Sequence, residues 1–379
     1  MHVINVSDCN AALKIGLTYL LNRGVVENSR NGEVLVAPEP VTTVYSKPNR
    51  RVLNSPIRNA NPFFHVMESL WMLAGRKDVA WPAKFVKNMA NYSDDGVTLS
   101  GAYGDRWRNH FGVDQLARVV DFFHKDSTTR RGVVSMWDVS KDTEAAYRDG
   151  KDIPCNTHIY FSIHDELLRM TVCCRSNDVL WGAYGANYVH FTFLMEYIAY
   201  QLGVGLGKYS QISNNYHVYL QQYPRKTLYD IVTEPFVWYP DKVQCPLISS
   251  SVTDWHRDLE NFLDFGDSDQ QYTDRFFPDV AKPMYDAWTF KNKGMYPASL
   301  VQCAAIKDDG WRRVCTEWVL RKMNNFKEVI MDEDAITEEL ADLDEGDGVD
   351  GNCSCGIRGS HSDKTHNSML TGTDDSDFR

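Results

Sequence analysis

Cys155 follows Pro154, and nineteen residues later the chain reads Cys174-Arg175-Ser176-Asn177-Asp178. Between them lie two apolar stretches, Thr157 to Ile163 and Leu167 to Cys174, on either side of His164-Asp165-Glu166. Strand-like alternation flanking a polar turn predicts a β-hairpin. Such a hairpin brings the cysteine at one end close to the arginine at the other. A thiol beside fixed positive charge titrates lower and becomes a nucleophile. The alternative is a small apolar cysteine lying in a sheet, a common fate for this residue. Further arginines stand where an anion could be held: Arg30 in Ser29-Arg30-Asn31-Gly32 and the pair Arg130-Arg131. Guanidinium groups grip phosphate with paired hydrogen bonds. Singly each reads as a surface charge, and with Cys155 and Arg175-Ser176 they describe a nucleophile beside a phosphate clamp.

The elements that must position these groups follow from apolar spacing. Asn10 to Arg23 has helical periodicity and stops at Gly24. Asn61-Pro62 opens a helix through Glu68, Trp71 and Leu73 to Gly75, and Val113 to Lys125 predicts a third. Gly132 to Trp137 reads as a strand ahead of the hairpin. Tyr188 to Leu202 is apolar and aromatic all round, so it predicts a buried helix. Gly207 to Tyr219 reads as a strand leading into a helix beyond Leu220. Aromatic-rich helices are expected over Trp255 to Phe265, Phe277 to Phe290 and Trp311 to Met323. Strands mixed with helices and hairpins favour an α+β fold with a mixed or antiparallel sheet.

The chain of 379 residues is 43% hydrophobic and 12% aromatic, as expected of a soluble globular protein. No apolar run is long enough to span a bilayer, and Met1 to Val6 lacks the basic start of a signal peptide. Nine cysteines without regular spacing suit a reducing cytoplasm. The net charge of −11 belongs to the end of the chain: Met331 to Arg379 holds fourteen acidic and three basic residues. The remaining residues carry 37 of each sign, so the body has no field for grasping nucleic acid. The composition divides a folded body, residues 1–330, from a disordered acidic tail, 331–379. Cys353, Cys355, His361 and His366 in that tail match no standard zinc spacing, and no metal is expected.

In order along the chain, these motifs resemble those of the thymidylate synthase family, which includes the deoxypyrimidine monophosphate hydroxymethylases. Asn22-Arg23-Gly24-Val25 and Ser29-Arg30-Asn31-Gly32 are similar to the start of its phosphate loop. Glu68 through Gly75 resembles its glutamate helix, and Tyr103-Gly104-Asp105-Arg106-Trp107-Arg108 follows. Arg130-Arg131 precede a strand ending in Trp137-Asp138, and Pro154-Cys155 is similar to the nucleophile motif. Arg175 through Asp178, Gly182 through Asn187, and His217-Val218-Tyr219-Leu220 resemble the nucleotide and sugar motifs.

The resemblance implies a mixed sheet covered by helices, and a role for each matched residue. Cys155 would add to C6 of a pyrimidine, making C5 nucleophilic toward a one-carbon unit from 5,10-methylenetetrahydrofolate. Glu68 would order water and move protons, and Tyr103 would assist loss of the C5 proton. Arg30, Arg175 and Ser176 would hold the 5′-phosphate, with Arg130 and Arg131 reaching in from the second subunit of a homodimer. His217 and Tyr219 would hold the 3′-hydroxyl, Asp178 the pterin, and Asn187 the base. An asparagine amide offers both a donor and an acceptor, which matches N3–H and O4 of uracil and favours dUMP over dCMP.

The chain departs from the synthases in places. Asn156 stands where they have histidine, Cys174 where they have glutamine, and Asn187 requires one extra residue after Gly182. The folate-stacking tryptophan has no match, since Trp81 lies too early. The synthases end in a short apolar segment that closes the site, whereas this chain runs into its acidic tail. A site open to water hydroxylates the one-carbon unit instead of reducing it. The reading is therefore folate-dependent C5 hydroxymethylation of a deoxypyrimidine monophosphate, as in viral DNA modification within a host cytoplasm. The alternatives are a thymidylate synthase, a folate-independent C5-modifying relative, and a nucleotide-binding protein without turnover.

Overall fold

The computed structural model describes residues 1–324 apart from Asn31, 236–244, Asp267 and Asp269. The expected tail from Met331 onward, with its cysteines and histidines, lies outside the described residues.

Eight strands form one mixed sheet. They are β1 (His2–Val6), β2 (Val25–Ser29), β3 (Gly32–Val36), β4 (Val41–Tyr45), β5 (Val133–Ser135), β6 (Asn156–His164), β7 (Leu167–Asp178) and β8 (Gly205–Tyr219). The order is β1-β4-β8-β7-β6-β5, and the β2–β3 hairpin attaches through β3 to the far end of β8. The β7–β8 and β1–β4 pairs are parallel and the others antiparallel, so the expected mixed sheet is present.

The predicted hairpin is β6–β7. Asp165 and Glu166 turn it with φ of 52° and 57°, the left-handed pair that suits the twist of a tight hairpin. Alternation along β7 is clean: Leu168, Met170, Val172 and Cys174 are buried. On β8, Tyr209, Gln211 and Ser213 continue that buried face. On the opposite face Arg169 and Arg175 on β7 and Lys208 on β8 are exposed, while Thr171, Cys173 and Ile212 are half-buried.

Helices α1 (Cys9–Arg23), α2 (Pro62–Leu73), α3 (Ala80–Ala83), α4 (Tyr103–Arg108), α5 (Gln115–Lys125) and α7 (Ala186–Leu202) build the layer over the buried face, and α6 (Val139–Tyr147) lies at its margin with only Asp142 buried. Asn61 caps α2 by accepting from the N–H groups of Phe63 and Phe64, with Pro62 in the first turn. Every residue of α2 is buried, including Glu68. It packs against α7, the helix expected to be buried all round. Gly203 ends α7 in the left-handed conformation, with φ of 67°.

The C-terminal third is helical: α8 (Arg225–Thr233), α9 (Val252–Phe265), α10 (Lys282–Asn292), α11 (Tyr296–Ala305) and a final helix over 309–324. Its aromatic side chains seal α2 from the far side. Phe63 on α2 meets Trp288 and Trp318, each at 5.7 Å between ring centroids. Trp81 stacks on Tyr285 at 5.8 Å and is buried, so it belongs to this core. Removing such a buried ring costs about 3–5 kcal/mol.

Helix α4 is pinned by an ion pair. The Arg106 guanidinium grips the Asp142 carboxylate through two contacts of 2.7 Å, both side chains being buried. It also donates to the carbonyls of Ser100 and Met136. A Cβ on Gly104 would lie 2.1 Å from the Met72 carbonyl, so only glycine lets α4 approach α2 this closely. Tyr103 is thereby held against the sheet.

Candidate active site

Cys155 sits half-buried between Pro154 and the start of β6. The pairing with β7 slips there: Asn156 faces Cys174 but His158 faces Cys173, which leaves one extra residue on β6. A bulge of this kind re-aims the side chain beside it. Asn156 fastens it, donating from Nδ2 to the carbonyls of Cys173 at 2.8 Å and His158 at 3.2 Å. The Asn156 main-chain N–H donates to the Tyr103 hydroxyl at 3.3 Å. Arg175 closes the other side. Its main-chain N–H donates to the Cys155 carbonyl at 2.8 Å, and its guanidinium to the carbonyls of Pro154 and Ile153.

The expected lowering of the thiol pKa is not met. Burial pushes the Cys155 thiol up, and Arg175 offsets this only in part while Asp152 opposes it. Arg175 is exposed, so water weakens its field at the sulfur. Asp152 accepts from the Gly101 N–H at 2.7 Å, and burial raises its carboxyl to about 6. Burial and the neighbouring Cys155 raise the Tyr103 phenol well above its ordinary range.

From this turn a polar line runs across the sheet. Cys174 lies opposite Asn156 on one side and Ser213 on the other. Asn177 donates from Nδ2 to Ser213 Oγ at 2.9 Å, and Asn187 donates from Nδ2 to Asn177 Oδ1 at 3.4 Å. A Cβ at Gly182 would fall 2.5 Å from Asn177 Oδ1 and 3.0 Å from Asn187 Nδ2. Glycine there is what lets the two amides meet. Asn187 lies in the first turn of α7, with His190 and Phe191 three and four residues on, along one face. Phe191 stacks on Tyr103 at 5.8 Å, and His190 Nε2 lies 2.9 Å from Glu68 Oε2.

At the end of β7, half-buried Asp178 accepts from the Trp181 N–H at 2.5 Å and pairs in register with His217 of β8. Desolvation governs both: it raises the Asp178 carboxyl and lowers the His217 imidazole, each partly opposed by the other. The His217 ring meets Tyr219 edge-on at 5.1 Å. Ser176 is half-buried one residue beyond Arg175.

The arginines divide. Arg175 belongs to the Cys155 turn. Arg30 is exposed beside the β2–β3 turn, and Arg130 and Arg131 are exposed on the loop between α5 and β5. Among the described residues none of these three bonds to Cys155 or Arg175 within the subunit.

Sequence reasoning did not single out His190, Asn177, Asp152 or Trp181. A histidine inside the apolar run from Tyr188 to Leu202 was the available signal for the first.

Residues 22–235 match the family model described as thymidylate synthase. The chain belongs to the thymidylate synthase family. It is 43% identical to the deoxyuridylate hydroxymethyltransferase of Pseudomonas phage M6, over 86% of this chain and 96% of that protein. It is 40% identical to the protein of that name from Bacillus phage SP01, over 51% of this chain and 52% of the phage protein. A putative thymidylate synthase of Methanothermobacter marburgensis is 28% identical over 45% of this chain and 78% of its own length. The alignment with the phage M6 relative covers too much of the chain to stop where the family model does, at residue 235. The C-terminal helices that seal α2 therefore fall at least partly within the shared region. Among the described residues no helix is long and apolar enough to cross a membrane.

Proposed function

We propose that this protein converts dUMP, water and 5,10-methylenetetrahydrofolate into 5-hydroxymethyl-dUMP and tetrahydrofolate. The observation that carries this reading is 43% identity, over nearly the whole length of the relative, to a protein named deoxyuridylate hydroxymethyltransferase.

Cys155 adds through Sγ to C6 of the uracil, and electron density moves to C5. Burial favours the protonated thiol in the free protein, so a site water would take its proton as the C6–S bond forms. Tyr103 keeps its own proton and assists departure of the C5 proton by orienting water near the nucleophile turn. Once the C5 proton and tetrahydrofolate have left, water adds to the new carbon at C5 as the C6–S bond breaks, and the thiolate regains a proton from solvent. Asn187 presents its amide to N3–H and O4, with Asn177 holding one N–H of that amide. Arg175 and Ser176 hold the 5′-phosphate, joined by Arg30, and His217 and Tyr219 the 3′-hydroxyl.

The residues present fit the folate. Asp178 is an acceptor-only carboxylate at a half-buried strand end, suited to the amino and ring N–H donors of a pterin. The half-buried Trp181 indole lies next to it, beside Phe64 at 5.7 Å. Bound there, methylenetetrahydrofolate supplies a one-carbon unit at the oxidation level of formaldehyde.

The protein acts as a homodimer with shared sites, in the cytoplasm, and its catalytic domain is residues 1–330 with 331–379 an appended tail. The exposed sheet face and the detachment of Arg130 and Arg131 from the site of their own subunit support the dimer. Incubating dUMP with and without methylenetetrahydrofolate, for the wild type and Cys155→Ala, tests the reading. Folate-dependent 5-hydroxymethyl-dUMP from the wild type alone is expected. Product made without folate, or by Cys155→Ala, would overturn it.

A further inference from the structure

Glu68 and His190 meet where α2 packs against α7, both helices being largely buried. His190 is 2% exposed, and its Nε2 lies 2.9 Å from Glu68 Oε2. Among the described residues neither ring nitrogen makes an aligned hydrogen bond, so the approach to Glu68 is a close imidazole–carboxylate contact without hydrogen-bond alignment in the free protein. A buried imidazole left without a partner costs free energy comparable to a lost hydrogen bond, so this one has reason to be where it is.

The charged and titratable groups around it are few. His65, one turn before Glu68 on α2, is buried, and desolvation together with His190 lowers its pKa well below the ordinary value. Burial thus disfavours its charged form. Arg58 is buried too, but its Nε donates to the Leu180 carbonyl at 3.0 Å. Of these groups, only His190 touches the Glu68 carboxylate.

We propose that His190 is a positioning residue for Glu68. A small rotation of the ring lets Nε2–H donate to Oε2 across the 2.9 Å contact, which would fix the carboxylate rotamer and leave Oε1 for the substrate and its ordered water. The spacing of α7 couples this to base recognition, because Asn187 lies three residues before His190 on the same face. One helix thus sets both the group that reads the base and the group that holds the site carboxylate. The proposal rests on Glu68 being that carboxylate.

A double-mutant cycle between His190→Phe and Glu68→Gln tests it. His190→Phe should lower kcat on the order of a hundredfold, the cost of a misplaced catalytic group, while KM for dUMP is unchanged. In the Glu68→Gln background it should have no further effect. Equal fold-losses in both backgrounds would overturn the proposal, as would full activity of His190→Phe. If that variant fails to fold, His190→Gln and His190→Met make the same comparison, since only glutamine keeps a donor at that reach. Equal kcat for those two would also overturn it. A second readout needs no turnover, and so separates failure here from failure of the functional reading. In protein labelled with nitrogen-15 at histidine, the His190 signal should report a protonated Nε2 that shifts on Glu68→Gln. An unshifted signal would contradict the contact even if dUMP proved not to be the substrate.

Discussion

Arg175 holds the backbone that carries Cys155: its guanidinium donates to the carbonyls of Pro154 at 3.0 Å and Ile153 at 2.9 Å. The residue expected to grip phosphate thus also buckles the Cys155 turn in the free protein. A phosphate oxygen binds a guanidinium more strongly than a neutral carbonyl does. On the proposed role, substrate binding should redirect Arg175 away from these carbonyls and reshape the setting of the thiol.

Arg175→Ala should raise KM for the nucleotide and also make Cys155 harder to ionise, because the one favourable charge near the sulfur is lost. The pH profile of alkylation by iodoacetamide should move to higher pH. An unchanged profile would separate Arg175 from the nucleophile.

Asp152→Asn should act in the opposite direction. Its ionised carboxylate raises the Cys155 thiol, so neutralising it should move alkylation to lower pH. Stability has a definite sign as well. The folded carboxyl titrates at about 6, above the ordinary 3.8, so its contribution is present at low pH and lost as pH rises through about 6. The variant should match the parent near pH 4 and exceed it in thermal stability above about 6. Identical melting curves across that window would show that the group is not desolvated.

Asn187→Asp should shift preference from dUMP toward dCMP, since a carboxylate loses the amide donor to O4 and leaves only acceptors. A mismatch of one hydrogen bond at a buried polar reader is worth about 1–3 kcal/mol, or roughly tenfold to a hundredfold in kcat/KM. Competition between the two nucleotides measures it. A wild-type preference for dCMP would place the base reader elsewhere.

Mixing Cys155→Ala chains with Arg131→Ala chains should restore activity, because one site of the hybrid dimer keeps both groups. Neither parent alone should turn over at the wild-type rate. Absence of recovery after demonstrated subunit exchange would contradict a shared site.

The sheet centre was legible because alternation is strong there. Thr157 to Ile163 and Leu167 to Cys174 each show a two-residue period, and the structure pairs them as β6 and β7. The β2 strand was not, since all five of its residues are exposed and no inward face marks it. The buried helices α2 and α7 announced themselves by apolar content alone. The chemistry of the site was legible in residue type but not in electrostatics. Proximity of Arg175 to Cys155 was foreseeable, whereas the burial that outweighs it depends on tertiary packing. His190 escaped because its partner is 122 positions away in the chain, across a helix contact that the sequence does not display. Arg130 and Arg131 were related to the site only by the family resemblance, since within the described residues of one subunit they make no bond to it.

The central claim is that water, and not hydride from folate, completes the carbon added at C5. The direct measurement is turnover of dUMP and methylenetetrahydrofolate in oxygen-18 water, following the nucleotide mass and the folate oxidation state together. The account predicts 5-hydroxymethyl-dUMP carrying one heavy oxygen, with tetrahydrofolate formed in equal amount. Unlabelled dTMP accumulating in step with dihydrofolate would contradict it.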